Sequence, residues 1–315
     1  MTFALGAHVG QQNLSMDELR ATWRRLDDAG LDWISAWDHL YEAPPANGTI
    51  DHFEAVATLA ALAMETTNAR IGCLVFYVGY RNPGMLAKAA VTLDHLSGGR
   101  FELGLGGGWH EQEAEAFGYD FPSVGTRLDM LEEGTELIRS LLTQERTTFE
   151  GRHYRAVNAS CLPAPVQEHL PIWIGGIGEK RTLRLTARLA DGWNAAYITP
   201  EEFGRLNGVL DRWCEREERE PEDIERSVNL MFMMSVDEAS AARATTAFEQ
   251  QWGDMAERVR GGALMGTPDQ AVERILEYHE AGADLVNVAM RAPWDPEVLD
   301  AYLDHVVPRV RAALR

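Results

Sequence analysis

Apolar and polar positions along this chain switch repeatedly between two periods. Short, nearly continuous apolar runs fall at 3–10, 33–40, 71–78, 101–105, 171–176, 192–196, 227–236 and 285–290. Runs of that length bounded by turn residues read as buried strands. Between them, apolar residues recur at three- and four-residue steps, as in Met16, Leu19, Trp23 and Leu26, or Leu128, Leu131, Leu137, Ile138 and Leu141. That spacing is the buried stripe of an amphipathic helix. It predicts helices from 16 to 30, about 53 to 65, 83 to 96, 124 to 142, 179 to 190, from 200 onward, 238 to about 260, 268 to 281 and 298 to 314.

Eight strands alternating with helices over 315 residues predict an α/β protein, a (β/α)8 TIM barrel in a single domain spanning 1–315 with insertions in its loops. The alternative is a doubly wound open sheet, whose first turn carries a glycine fingerprint that Ala7 to Gln12 does not match. In a barrel every βα loop opens on one rim, so the ends of strands two, three, four, five and seven converge. The connection 147–170 is an αβ link, expected on the opposite face as a structural or oligomer-forming insertion. The segment 237–267, on the active face, is the expected lid or substrate wall.

Composition narrows the partners. A formal net charge of −20 argues against nucleic acid and anionic membrane, and suits a small-molecule ligand. Three scattered cysteines, Cys73, Cys161 and Cys214, lack metal spacing and read as reduced thiols of a cytoplasmic protein. The start of the chain lacks the basic flank and apolar core of a signal peptide, and no apolar run has the length of a membrane span.

The candidate chemistry sits at strand ends. SGGRFELGLGGGW (97–109) reads as turn, strand, glycine-rich loop and helix start; Gly106, Gly107 and Gly108 leave bare backbone that a ligand can approach. It is no dinucleotide fingerprint, because Trp109 stands where the third glycine belongs. Gly175, Gly176 and Gly178 precede Lys180 and Arg181 at another helix start, a pattern for phosphate. A plain structural turn is the alternative at both places. Asp38 and His39 end strand two, where a carboxylate and an imidazole can position a ligand and move a proton. Phe76 and Tyr77 can flank a flat ring, with Arg81 beyond them as a second anion holder. Trp252, Met255, Arg258 and Arg260 belong to the expected lid. There is no metal motif, nucleophile elbow or P-loop, so a bound cofactor is expected to carry the chemistry.

YRNPGMLAKAAVTLDHLSGGRFELGLGGGWHEQEAEAFGYDFP (80–122), PIWIGGIGEKRTLRLTARLADGWNA (171–195), WDHL (37–40) and, more weakly, GTPDQAVERILEYHEAGADLVNV (266–288) resemble the bacterial luciferase-like monooxygenase superfamily. The resemblance is closest to its actinobacterial branch that uses the deazaflavin coenzyme F420. It implies a TIM barrel with a tricyclic ring at the C-terminal face. A bulge at Leu74–Val75 would prop the ring, and His39, oriented by Asp38, would exchange a proton. The glycines at 106–108 and 175–178, with Lys180 and Arg181, would hold the ribityl and phosphate region. Arg81, Lys180, Arg181 and Arg184 would favour the acidic tail of F420 over FMN. Trp109, Tyr77 and Trp252 would line the substrate pocket. Sugar-phosphate dehydrogenases of the superfamily have an acidic residue at the position of Trp109 and a tryptophan at that of Ala43, so a more apolar substrate is implied. The expected function is F420-dependent hydride transfer to or from a small organic substrate, in a homodimer. The alternatives are an FMN-dependent monooxygenase of the same fold and a non-catalytic cofactor-binding protein.

Overall fold

The structure, a computed structural model, describes residues 3–42, 48–252 and 256–315, apart from the side chains of residues 251, 252 and 258. Its strands are β1 (Ala4–Val9), β2 (Trp33–Ala36), β3 (Arg70–Tyr77), β4 (Phe101–Gly106), β5 (Thr147–Glu150), β6 (Arg155–Ala159), β7 (Ile172–Gly175), β8 (Gly192–Ala196), β9 (Glu225–Met234), β10 (Ala263–Gly266) and β11 (Leu285–Met290). β1, β2, β3, β4, β7, β8, β9 and β11 pair in parallel in that order, and β11 returns to β1 with Ala4 opposite Leu285. This is the closed eight-stranded barrel that the alternation predicts. Its strands are mostly apolar and largely buried because each is covered on both sides, by helices outside and by packed side chains within, with His8, Ser35, Asn194, Asn229 and Asn287 among the polar exceptions.

The barrel's N-terminal end is plugged. Trp33 and Trp173 pack at 5.5 Å between ring centroids, with the Arg70 guanidinium 5.3 Å over the Trp33 ring. Arg70 in turn holds Glu225 at 2.7 Å and Glu102 at 3.1 Å. The plug leaves the opposite, C-terminal rim as the open end.

Three elements depart from the sequence reading. First, β10 lies inside the segment expected to be a lid. β9 is long enough for its first half to pair with β8 and β11 and its second half, Met231–Met234, with Ala263–Gly266. The Met231 N–H donates to the Gly262 carbonyl just beyond the point where the Tyr197 N–H donates to Asn229, so β10 takes over the edge where β8 stops. Four residues after two glycines carry no period of their own, and only the tertiary partner makes them a strand.

Second, 147–170 contains the antiparallel hairpin β5–β6, and it does not stay on the far face. It runs along the outside of the helices, and the Tyr154 hydroxyl donates to the Val78 carbonyl at 3.2 Å, at the C-terminal rim. Glu133 holds the hairpin tip by accepting from the main-chain N–H groups of Arg152, His153 and Tyr154. Third, the last helix is interrupted, with a π-turn at Tyr302–Val306 ahead of Val307–Ala313. Pro308 has no N–H to give and its ring crowds the carbonyl one turn back, so the ladder widens there.

Candidate active site

The rim is built around a bulge in β3. Its register with β4 slips between Cys73 and Phe76, and the intervening Leu74–Val75 peptide bond is cis. Val75 is thereby turned into the mouth, where both glycine turns close on it. A Cβ placed on Gly106 would lie 2.4 Å from Val75, and one on Gly175 would lie 2.7 Å from it. The same Cβ on Gly106 would be 3.9 Å from the Gly175 carbonyl oxygen, so the two turns are neighbours. Bare backbone at these positions therefore makes room for the bulge at Val75.

The remaining glycines divide. Gly108 has φ +69°, and a Cβ there would meet the Tyr77 ring at 2.6 Å. Tyr77 itself is buried beneath this turn, edge-on to Tyr80 at 4.8 Å. The expected cofactor and substrate contact of Tyr77 is thus replaced by a supporting role: the ring props the loop from below. Gly107 has open space, its nearest side chain being Leu128 at 3.4 Å, and its carbonyl is held by Arg127. Gly176, at φ +131°, and Gly178 pack against Thr182, the first residue of the helix Thr182–Leu189.

That helix start is distinctive. Helices beginning at Met16, Ala55, Pro83, Val124, Pro200 and Pro268 are capped by the side chains of Ser15, Glu54, Asn82, Ser123, Thr199 and Thr267. The helix at Thr182 has no side-chain cap. In its first turn the Leu183 N–H is taken by the Gly178 carbonyl at 3.0 Å, which leaves the Thr182 and Arg184 N–H groups and the positive end of the dipole to face an anion at the rim.

The expected cations are mostly engaged elsewhere. Arg181 holds Asp129 at 2.6 Å, Arg184 holds Glu217 at 2.9 Å, and Arg81 holds both Asp38 and Glu54. Lys180 is exposed at the turn and has no ion-pair partner among the described residues.

The Asp38–His39 pair is also divided. Asp38 is buried and accepts from Arg81 at 2.7 and 2.8 Å and from the Tyr77 N–H at 3.1 Å, which ties the end of β2 to the bulged strand. Burial pushes its carboxyl upward against the pull of the Arg81 charge, so the guanidinium is what keeps an anion tenable there. It does not orient His39. That role falls to Glu113, which sequence reasoning passed over as helix-forming sequence.

The Glu113 Oε1 accepts from the His39 Nδ1 at 2.7 Å and from the Tyr80 hydroxyl at 3.0 Å. Its Oε2 accepts from the N–H groups of Leu40 and Tyr41 at 2.9 and 3.1 Å. Burial works to raise the Glu113 carboxyl, but the bonds from His39 and the two main-chain groups outweigh it and hold it below the ordinary range. An ionised carboxylate only accepts, so the His39 Nδ1 carries hydrogen in this bond and the Nε2 is the ring nitrogen left outside it.

Trp109 stands edge-on to His39 at 5.2 Å and stacks on His110 at 5.0 Å, yet it is 60 % exposed. A tryptophan held by two imidazoles and still open on its outer side forms a wall at the rim. The Trp252 side chain, and Ala43, Met255 and the Arg258 side chain, lie outside the described residues.

Fold and site together define a (β/α)8-barrel enzyme with its working parts at the C-terminal mouth. The chain belongs to the luciferase-like monooxygenase family, whose model matches residues 1–285. It is similar to an uncharacterized protein of Mycobacterium tuberculosis, 36% identical over 136 residues, covering 43% of this chain and 47% of that one. The chain thus spans about half the length of the first curated relatives it matches. It is also similar over nearly its whole length to the F420-dependent glucose-6-phosphate dehydrogenase of Beutenbergia cavernae, 28% identical and covering 99% and 98% of the two chains. Among solved structures, an F420-dependent secondary alcohol dehydrogenase in complex with an F420-acetone adduct superposes with a TM-score of 0.87 at 18% identity, covering 98% and 99%.

Proposed function

We propose that this chain is an F420-dependent oxidoreductase that moves a hydride between the deazaflavin and a small organic substrate. The observation that carries it is the convergence of both glycine turns on Val75 at the rim that holds the His39–Glu113 pair. The residues fit the group. Val75 offers a flat-ring shelf, while Gly107, Gly176, Gly178, Lys180 and the uncapped helix start at Thr182 suit a phosphate. When bound, the deazaflavin supplies a carbon that takes or gives a hydride. The chain's own residues do the rest. His39 exchanges the proton at Nε2, Glu113 fixes its tautomer, and Asp38 positions the bulged strand through Arg81 and Tyr77. Trp109 walls the substrate side.

Titrating the purified protein with F420 and with FMN tests this reading. F420 is expected to bind tightly and FMN weakly; tight FMN binding without F420 binding overturns it in favour of a flavin monooxygenase. For setting, the reading is a cytoplasmic homodimer. The three cysteines are free and buried, and Met85, Val157, Leu162 and Val166 expose apolar surface where the 147–170 connection crosses the helix Pro83–Ser97. Size-exclusion chromatography with light scattering checks the dimer.

A further inference from the structure

Arg291 directly follows β11, the last barrel strand, and so stands at the mouth. Its guanidinium carbon lies 6.0 Å from the Trp37 ring centroid and 5.8 Å from that of Tyr197. The chain carries 49 acidic against 29 basic residues, and most arginines around the barrel hold a carboxylate. Among the described residues none pairs with Arg291, and its Nε is buried without an acceptor. The two aromatic faces shelter its charge but cannot accept its in-plane N–H groups.

Both walls are fixed. Trp37 donates from Nε1 to the His52 Nε2 at 3.0 Å, and its own carbonyl accepts from the Gln11 side chain at 2.5 Å. Tyr197 is held at φ +59°, a left-handed conformation unusual for a tyrosine, by its N–H bond to Asn229 and by the close approach of Gly262. Strain of this kind persists where surrounding structure enforces it, often at binding sites. On the next strand, His8 is occupied through its Nδ1 by the Ser35 hydroxyl at 2.8 Å and supplies no counter-charge. A planar fork left without an acceptor and flanked by two fixed aromatic rings at the barrel mouth has the chemistry of a receptor for a carboxylate.

We propose that Arg291 binds a carboxylate of the substrate, carried on an apolar or aromatic body suited to the aromatic surroundings that Trp37 and Tyr197 give the guanidinium. This names the substrate class of the oxidoreductase proposed above and rests on that reading only for the reaction, not for the binding. It also sets a place for the reaction: a carboxylic acid bearing a reducible or oxidisable group within a few atoms of the acid.

The test is calorimetric titration of the protein, with and without F420, using benzoate as probe and benzamide as its neutral shape-match. Benzoate is expected to bind the wild type and to bind Arg291→Gln and Arg291→Met at least tenfold more weakly. Benzamide is expected to bind all three alike, showing that the pocket has stayed intact, and F420 affinity is expected to be unchanged. Equal benzoate affinity in the variants, or no benzoate binding to the wild type, overturns the proposal. A parallel loss of F420 affinity in the variants also overturns it, because Arg291 would then hold the acidic tail of the cofactor. If F420 fails to bind the wild type while benzoate binding still depends on Arg291, the carboxylate site stands and the assigned cofactor does not.

Discussion

Replacing Glu113 by glutamine changes one atom and sets two hydrogen-bonding demands against each other. In the native site every contact to this carboxylate is a donor: the His39 Nδ1, the Tyr80 hydroxyl and the Leu40 and Tyr41 N–H groups. An amide has one accepting oxygen and one NH2. If the NH2 faces Leu40 and Tyr41, two buried main-chain donors lose their acceptor, at about 1–3 kcal/mol each. If it faces His39, the imidazole can adapt by moving its hydrogen to Nε2 and accepting at Nδ1, and the Tyr80 hydroxyl can rotate to accept. The second arrangement costs less, mainly the difference between charge-assisted and neutral bonds, or about 2 kcal/mol in all.

Glu113→Gln is therefore expected to lower unfolding free energy by about 2 kcal/mol and to reverse the tautomer of His39. Nitrogen-15 imidazole correlation spectra report the tautomer directly and need no substrate, while urea denaturation reports the stability. Once a substrate is found, turnover should fall by roughly 10²–10⁴-fold, the usual weight of a positioned proton carrier. A variant whose His39 keeps hydrogen on Nδ1 and whose stability is within about 0.5 kcal/mol of wild type would refute the assignment of Glu113 as the orienting group.

Other consequences follow from the same geometry. Gly106→Ala and Gly175→Ala each drive a methyl into Val75, and should destabilise by about 1–3 kcal/mol and weaken F420 binding. Adding Val75→Ala to either should restore at least half of the stability in urea melts, and no restoration would mean that the glycines answer to something else. Arg81→Met leaves the Asp38 carboxylate buried with the Tyr77 N–H as its remaining partner, and should cost about 3–5 kcal/mol. Asp38→Asn in the same chain should recover much of that loss, which thermal denaturation of the single and double variants will measure. Burial holds His8 down at about 3 and His52 at about 4, against 6.5 when exposed, so the unfolded chain binds more protons between these limits. Their contribution is neutral above pH 6.5, and each removes about 1.4 kcal/mol of stability per unit as pH falls toward 4. Denaturation series across pH 7.5 to 4.5 should show a shallower slope for His8→Asn with His52→Gln; an unchanged slope would exclude both groups.

The barrel was legible because each strand announces itself locally, as an apolar run between turn signals, and nothing distant is needed to recognise it. The partnership of Asp38 was not legible, because Asp38 and His39 lie in the loop after β2 ends at Ala36, where no period says which way a side chain turns. The two residues, neighbours in the sequence, go to different partners. One turns to Arg81 and the neighbouring strand, the other to Glu113 on the helix that follows β4. The better signal was the run Trp109, His110 and Glu113 at the start of that helix, where a carboxylate one turn in can reach back over the rim.

Charge was misread in the same way, and the correction points to Arg291. With twenty more acids than bases in the chain, a cation named from sequence says little until its partner is known. Arg81, Arg181 and Arg184 looked like holders of an acidic ligand, and each is answered by an internal carboxylate. Arg291 attracted no notice, although it directly follows a barrel strand, the position from which barrels present functional side chains. What separates it from the others is the lack of an acidic partner among the described residues at a mouth otherwise walled by Trp37 and Tyr197. In a protein this acidic, an arginine left unmatched at the open end selects for a ligand that brings the missing charge. On the proposed reading the substrate is an anion that the acidic surface repels in general and that Arg291 admits at the end of the last barrel strand.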